Sequence, residues 1–174
     1  TYTYSQSGTT PDGPVPATGT LVVNGSSFAR YFDQSKQPQR LTYTFGNSGP
    51  FITGASLSFN GATATCTFSN PLAAPSWPPT PGATDSASGT CNTLAGTLTV
   101  VANSRVNSRS GDIVNFSTTI HAYNASRSID VTANDVEGWS ISLRVPKTSR
   151  QTFSGTAFGN PVSGDVSSTL TGTP

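Results

Sequence analysis

Residues 55–70 read ASLSFNGATATCTFSN, two alternating runs joined by the Asn-Gly dipeptide at 60–61. In the first run every second residue is apolar, so we expect Leu57 and Phe59 to face a core and the intervening serines to face solvent. Asn-Gly suits a type I′ turn, because both residues tolerate positive φ. The stretch therefore predicts a β-hairpin, and Cys66 continues its buried face beyond the turn.

The same pattern continues on both sides of this hairpin. Short runs rich in Thr, Val, Tyr and Phe are separated by Gly, Pro and Asn, and no long stretch has helical spacing. Strands at such regular intervals predict an all-β protein. We expect a single-domain antiparallel β-sandwich of about 10–12 short strands, either Ig-like with Greek-key connections or a jelly roll.

Both cysteines of the chain, Cys66 and Cys91, flank its densest run of proline and one of its two tryptophans, Trp77. Proline lacks a backbone N–H and does not fit a central strand, so we expect a disulfide-closed, Pro-rich loop over 66–91 with little strand structure. Trp77 would then either fold down as a lid over the core or remain exposed as a contact for a subunit or a sugar.

The sequence predicts a strand followed by a linker in the first 17 residues. Residues 1–4, TYTY, alternate a polar β-branched residue with an aromatic one, and residues 5–17 are polar and rich in Gly and Pro. The sequence predicts an N-terminal arm over 1–17 and a sandwich domain over 18–174. The arm either folds back on its own domain or adds to the sheet of a neighbouring subunit, with Tyr2 and Tyr4 as anchors.

The composition of the chain limits the cellular compartments and the kinds of partner that are expected for it. Charged residues are only 10% of the chain and the net charge is +1, whereas Ser and Thr make up 52 of 174 residues. This balance disfavours nucleic acid, and no apolar run is long enough for a membrane span. A start at Thr1, no Met and two cysteines indicate a processed chain with a disulfide. We expect a secreted protein, extracellular or at the cell surface.

Few residues suggest catalysis or a cofactor. His121 is the single histidine and Glu137 the single glutamate, and no nucleophile, zinc or redox motif surrounds either residue. An acidic stretch contains four oxygen-bearing side chains with the chemistry of calcium ligands: Asp130, Asn134, Asp135 and Glu137. A solvated acidic loop is the alternative. The sequence predicts a protein that is not an enzyme and has no cofactor other than this candidate Ca²⁺.

Three functions fit these observations. The first is a structural or adhesive subunit of an extracellular assembly, such as a pilus-like filament, matrix fibre or surface layer, whose partners are other copies of itself joined by strand complementation. The second is a carbohydrate-binding module that binds polysaccharide through exposed aromatics such as Trp77. The third is a glycan-active enzyme that uses Glu137 or His121.

Overall fold

The computed structural model describes residues 1–24, 27–31, 40–46, 49–59, 62–73 and 76–172, with the backbone alone for 27–29, 40–46, 49–59, 62–64 and 70–73. These residues form one large antiparallel sheet of thirteen strands. The prediction of an all-β protein is confirmed. None of the described residues lies in a helix that has the length and apolar character of a membrane span.

The strands follow one another closely along the chain. In order they are β1 (Tyr2–Thr10), β2 (Gly13–Pro14), β3 (Thr18–Asn24), β4 (Ser27–Tyr31), β5 (Arg40–Gly46), β6 (Gly49–Phe59), β7 (Ala62–Ala73), β8 (Thr84–Thr93), β9 (Gly96–Ser110), β10 (Ile113–Tyr123), β11 (Ile129–Ser140), β12 (Val145–Ala157) and β13 (Asn160–Leu170). β6 and β7 form the predicted hairpin, with Phe59 opposite Ala62. The turn itself lies outside the described residues, and the predicted facing of Leu57 and Phe59 falls where the backbone alone is described.

The sheet closes on itself. From β3 to β13 each strand pairs with the next along the chain, and β13 then pairs with β1. A two-sheet sandwich, Ig-like or jelly roll, is not confirmed, because the described strands belong to one sheet and each pairs with its sequence neighbour. Alternation in the sequence shows that one face of each strand is buried. A two-sheet sandwich and a single closed sheet both need such strands, so alternation does not reveal which strands pair.

The N-terminal segment lies inside this sheet. One edge of β1 pairs with β13, where Tyr4 lies opposite Leu170, and the other edge pairs with β3, where Tyr2 lies opposite Leu21. Tyr2 and Tyr4 are buried in the core of their own chain. The structure therefore shows the alternative in which the segment folds back, and the predicted arm over 1–17 does not extend from the domain.

The Cys66–Cys91 disulfide forms between directly opposed residues of β7 and β8. The enclosed segment contains far more strand than its prolines suggested, since β7 continues to Ala73 and β8 starts at Thr84. The expectation of a strand-poor loop over all of 66–91 was wrong. The strands continue because pairing with β6 and β9 holds them along their other edges.

Two apolar clusters fill the interior face of the closed sheet. The larger one contains Tyr2, Tyr4, Leu21, Val106, Val114, Trp139 and Val145. The smaller one contains the disulfide with Leu98 and Val100. Buried polar side chains lie between the two clusters, and they include Arg30, Asp135, Glu137 and Ser149. Two of the candidate functional residues, Asp135 and Glu137, lie in this interior polar layer.

Candidate functional site

Strand β11 separates the four predicted calcium ligands. Asp135 and Glu137 are buried on the interior face, whereas Asp130 and Asn134 form their contacts on the outer face, with His121 and Thr119. Successive side chains of a strand point to opposite faces, so odd and even positions cannot bind one ion. Within the described residues no three His, Cys, Asp or Glu side chains are grouped so as to hold a metal. The predicted calcium site is therefore not assembled.

The centre of the polar layer is an ion pair between Arg30 on β4 and Glu137 on β11. Arg30 Nη2 donates to Glu137 Oε1 over 2.7 Å, and the two side chains are only 1% and 8% exposed. Arg30 Nη1 also donates to Ser149 Oγ on β12 over 3.0 Å. Charges buried to this extent need a partner, because the cost of removing them from water is large. The pair therefore binds distant strands to one another.

Aromatic side chains complete the surroundings of this pair. Trp139 Nε1 donates to Glu137 Oε2 over 2.6 Å, so both carboxylate oxygens are engaged. The guanidinium of Arg30 lies 5.8 Å from the ring centre of Tyr4, whose hydroxyl donates to the carbonyl of Pro146 over 2.7 Å. Burial raises the pKa of Tyr4 to about 12, so the phenol stays protonated at neutral pH.

Asp135 is the second buried carboxyl group of the layer. Ser149 Oγ and Gln151 Nε2 donate to its two oxygens, over 3.5 and 3.3 Å. Burial raises the pKa of Asp135 well above its ordinary value, and the nearby charge of Glu137 raises it further, although Arg30 opposes both effects. One guanidinium is shared by two carboxyl groups, and Glu137 holds the direct contact. Folding accordingly favours the protonated form of Asp135.

We expect Asp135→Asn to be more stable than the parent protein at pH 8. A carboxyl group whose pKa is raised by folding contributes stability below its unfolded pKa of about 3.9, and that contribution disappears as the pH rises through the folded pKa. Asparagine does not ionise and avoids this loss. The gain should therefore increase as the pH rises, because only the parent protein loses this contribution. Urea unfolding from pH 4 to pH 8 measures it.

The matched control is Asp130→Asn, on the outer face of the same strand. A hydrogen bond from His121 lowers the pKa of Asp130, so its contribution to stability is present at neutral pH and decreases as the pH falls. Its replacement should slightly destabilise the protein at neutral pH, opposite in sign to Asp135→Asn. A pH profile of Asp135→Asn parallel to that of the parent protein would contradict a raised pKa at Asp135.

His121 lies on the outer face, away from Glu137. Its Nε2 is 2.6 Å from Asp130 Oδ1, and both side chains are 38% exposed. Its ring lies 4.8 Å from that of Tyr123, and the Arg127 guanidinium covers the same phenol at 3.7 Å. The two groups considered for catalysis are thus on opposite faces of the sheet and do not form one site.

Trp77 is half-buried against the larger core cluster. Its Nε1 donates to the carbonyl of Ile141 over 3.1 Å, and its ring meets Trp139 edge-on at 6.2 Å between centres. Of the two alternatives for this residue, the structure shows the lid. A ring fixed in this way is poorly placed as an open stacking platform for a sugar.

Sequence reasoning missed Arg30, Ser149 and Gln151 in the polar layer. Arg30 is on the interior face because it lies directly opposite Leu21, which is fully buried. A charged residue within the alternating run SSFARYF was the available signal, since alternation of this kind places either its neighbours or the charge itself inside. Its partner Glu137 lies 107 positions away in the sequence, and no local pattern around Arg30 identifies it.

No protein-family model matches the chain, and no curated protein sequence matches it. Among solved structures it is similar to the crystal structure of the hypothetical lipoprotein YmcC from Escherichia coli K12, with 10% sequence identity and a TM-score of 0.48. The match covers 99% of this chain and 85% of that one. A likeness at this level carries no argument about function, which must come from the residues themselves.

Proposed function

We propose that the chain is a non-enzymatic structural domain of an extracellular or cell-surface assembly. The observation that carries the proposal is the state of Glu137, whose two oxygens are bonded to Arg30 and Trp139 deep in the interior. A carboxylate held in this way stabilises the fold and has no free oxygen to serve as a base or nucleophile. The partly exposed His121 contacts Asp130 on the outer face, on the opposite side of the sheet from Glu137.

Two further observations support an extracellular location. The cysteines form a disulfide, which persists in oxidising compartments and is rare in the cytosol. The outer face of β9 to β11 carries hydroxyl and amide groups that bond to one another, as in Asn115 with Ser108 and Thr119 with Asn134. Such a surface is hydrated without depending on charge. A pilus-like filament, a matrix fibre and a surface layer all remain candidates for the assembly.

Strand addition is not part of the proposal. Hydrogen-bonded neighbours on both sides of β1 occupy the edge groups that a donated strand would use. Copies would have to associate through outer faces or turns. Polysaccharide binding through Trp77 is also not proposed, because its indole N–H and ring edge are used within the chain.

Fractionation of producing cells tests the proposal. The protein should be recovered at the surface or in the medium, in particles larger than a monomer, with both cysteines protected from alkylation. His121→Ala should leave these particles unchanged, because the residue is a partly exposed neighbour of Asp130. Recovery from the cytosol with free thiols would overturn the proposal. A strictly monomeric protein whose hydrolytic activity is lost in His121→Ala would also overturn it.

A further inference from the structure

Six neighbouring strands place one residue each in a row across the interior face. The register of β8 to β13 sets these residues directly opposite one another: Asp85, Ser104, Thr118, Asp135, Gln151 and Val166. Five of the six are polar. Thr118 Oγ1 donates to Ser104 Oγ over 3.0 Å, and Gln151 donates to Asp135. The row presents hydroxyl, amide and carboxyl groups side by side.

The adjacent row, on the side away from Glu137, is made mainly of small residues. Its members are Ala87, Ala102, Ile120, Ala133, Phe153 and Gly164. Short side chains leave space in front of the polar row that larger residues would fill. The ring of Phe153 lies over Gly164, where a Cβ would collide with it. This glycine therefore lets the aromatic ring approach the backbone of β13 closely.

Burial shows that this part of the interior is not packed solid. Ser104, Thr118, Gln151 and Phe153 face inward and yet are only half-buried. Ser168, in the row on the other side, is 4% exposed, and among the described residues its Oγ has no hydrogen-bond partner. Buried hydroxyl groups are almost always bonded. An inward-facing hydroxyl of this kind leaves one hydrogen bond for a water molecule or a ligand to complete.

The chemistry of the wall selects the ligand. The charges of Arg30 and Glu137 neutralise each other, and the wall otherwise offers hydroxyl and amide groups, the carboxyl group of Asp135 and an aromatic ring. Asp85, at one end of the row, disfavours an anion. Hydroxyl groups of a sugar can both donate and accept, and its C–H faces pack on aromatic rings. We propose that this interior wall binds a neutral polyhydroxylated ligand, such as a mono- or disaccharide.

The test is titration of the native, disulfide-bonded protein with D-glucose, D-galactose, maltose and lactose, by calorimetry and saturation-transfer NMR. At least one of them should bind with one-to-one stoichiometry, and D-glucuronate should not bind. Thr118→Val removes a hydroxyl group without a change of shape and should weaken binding about tenfold. Gly164→Ala displaces the Phe153 ring and should weaken it at least as much.

Two control variants separate a site from a general effect on the fold. Thr119→Val changes the next residue of β10, on the outer face, and Gly172→Ala adds a methyl group where nothing lies within 4 Å. Both should bind sugar like the parent protein. The proposal is overturned if none of the four sugars binds, if Thr118→Val and Gly164→Ala bind normally, or if Thr119→Val reduces binding equally. None of these outcomes depends on where the protein is found in cells, so they leave the proposed function untouched.

Discussion

Replacing Glu137 with glutamine should lower the free energy of unfolding by about 3–5 kcal/mol, the usual cost of removing one partner from a buried ion pair. The variant leaves the guanidinium of Arg30, which is 1% exposed, without the carboxylate that it contacts directly. Glutamine can still accept one hydrogen bond, but it cannot neutralise the cation. Chemical denaturation followed by tryptophan fluorescence measures the change, since Trp139 bonds directly to this carboxylate.

The surface pair of Arg150 and Asp165 is the matched control. Its atoms approach to 2.9 Å, much as in the buried pair, but the side chains are 64% and 51% exposed. Asp165→Asn should therefore leave the midpoint of unfolding almost unchanged. The double variant Arg30→Met, Glu137→Leu removes both buried charges and should recover much of the loss. A Glu137→Gln variant as stable as the parent protein would show that Arg30 is solvated.

Removal of the disulfide by the double change Cys66→Ala, Cys91→Ala should cost about 3.5 kcal/mol, because the bond restricts the unfolded chain. The two residues are 25 positions apart, which is a loop of substantial entropy in the unfolded state. The folded state should change little, since β7 and β8 remain paired around positions 66 and 91. Urea unfolding of the two proteins at one pH gives the difference.

Reduction of the parent protein is the internal control for this prediction. Dithiothreitol should shift its unfolding midpoint to that of the double variant and should not affect the variant itself. A variant that unfolds at the midpoint of the oxidised parent would contradict the loop-closure argument. A variant with altered strand content would show instead that the bond determines the folded structure.

Strands were predictable from sequence because each one carries its own alternation. The burial pattern of β8 follows this period, with Ala87 and Cys91 inside and the residues between them partly or fully exposed. Closure was not predictable, because it depends on pairs such as Tyr4 with Leu170, at opposite ends of the chain. The sequences around Tyr4 and Leu170 both have an ordinary strand pattern, and neither sequence indicates that the other is its partner.

The candidate site was likewise predictable in part. Glu137 was identified because it is the chain's single glutamate, but proximity in sequence suggested that it acted with Asp130 and Asn134. Strand geometry assigned these two residues to the other face. The true partner, Arg30, required knowledge of how β4 and β11 face each other across the interior. The sequence therefore identified individual residues with suitable chemistry, but it did not show which of them the fold brings together.

Closure of the sheet also determines how the domain would respond to force. The two ends of the described chain lie next to each other, where β1 and β13 pair. There the Thr171 N–H donates to the carbonyl of Thr3 over 2.9 Å. Tension between these ends would separate β1 from β13 one hydrogen bond at a time. Tension applied instead along the strand direction, from turns at opposite ends of the sheet, would load many bonds at once. The direction of pull would thus decide whether the domain is mechanically weak or strong.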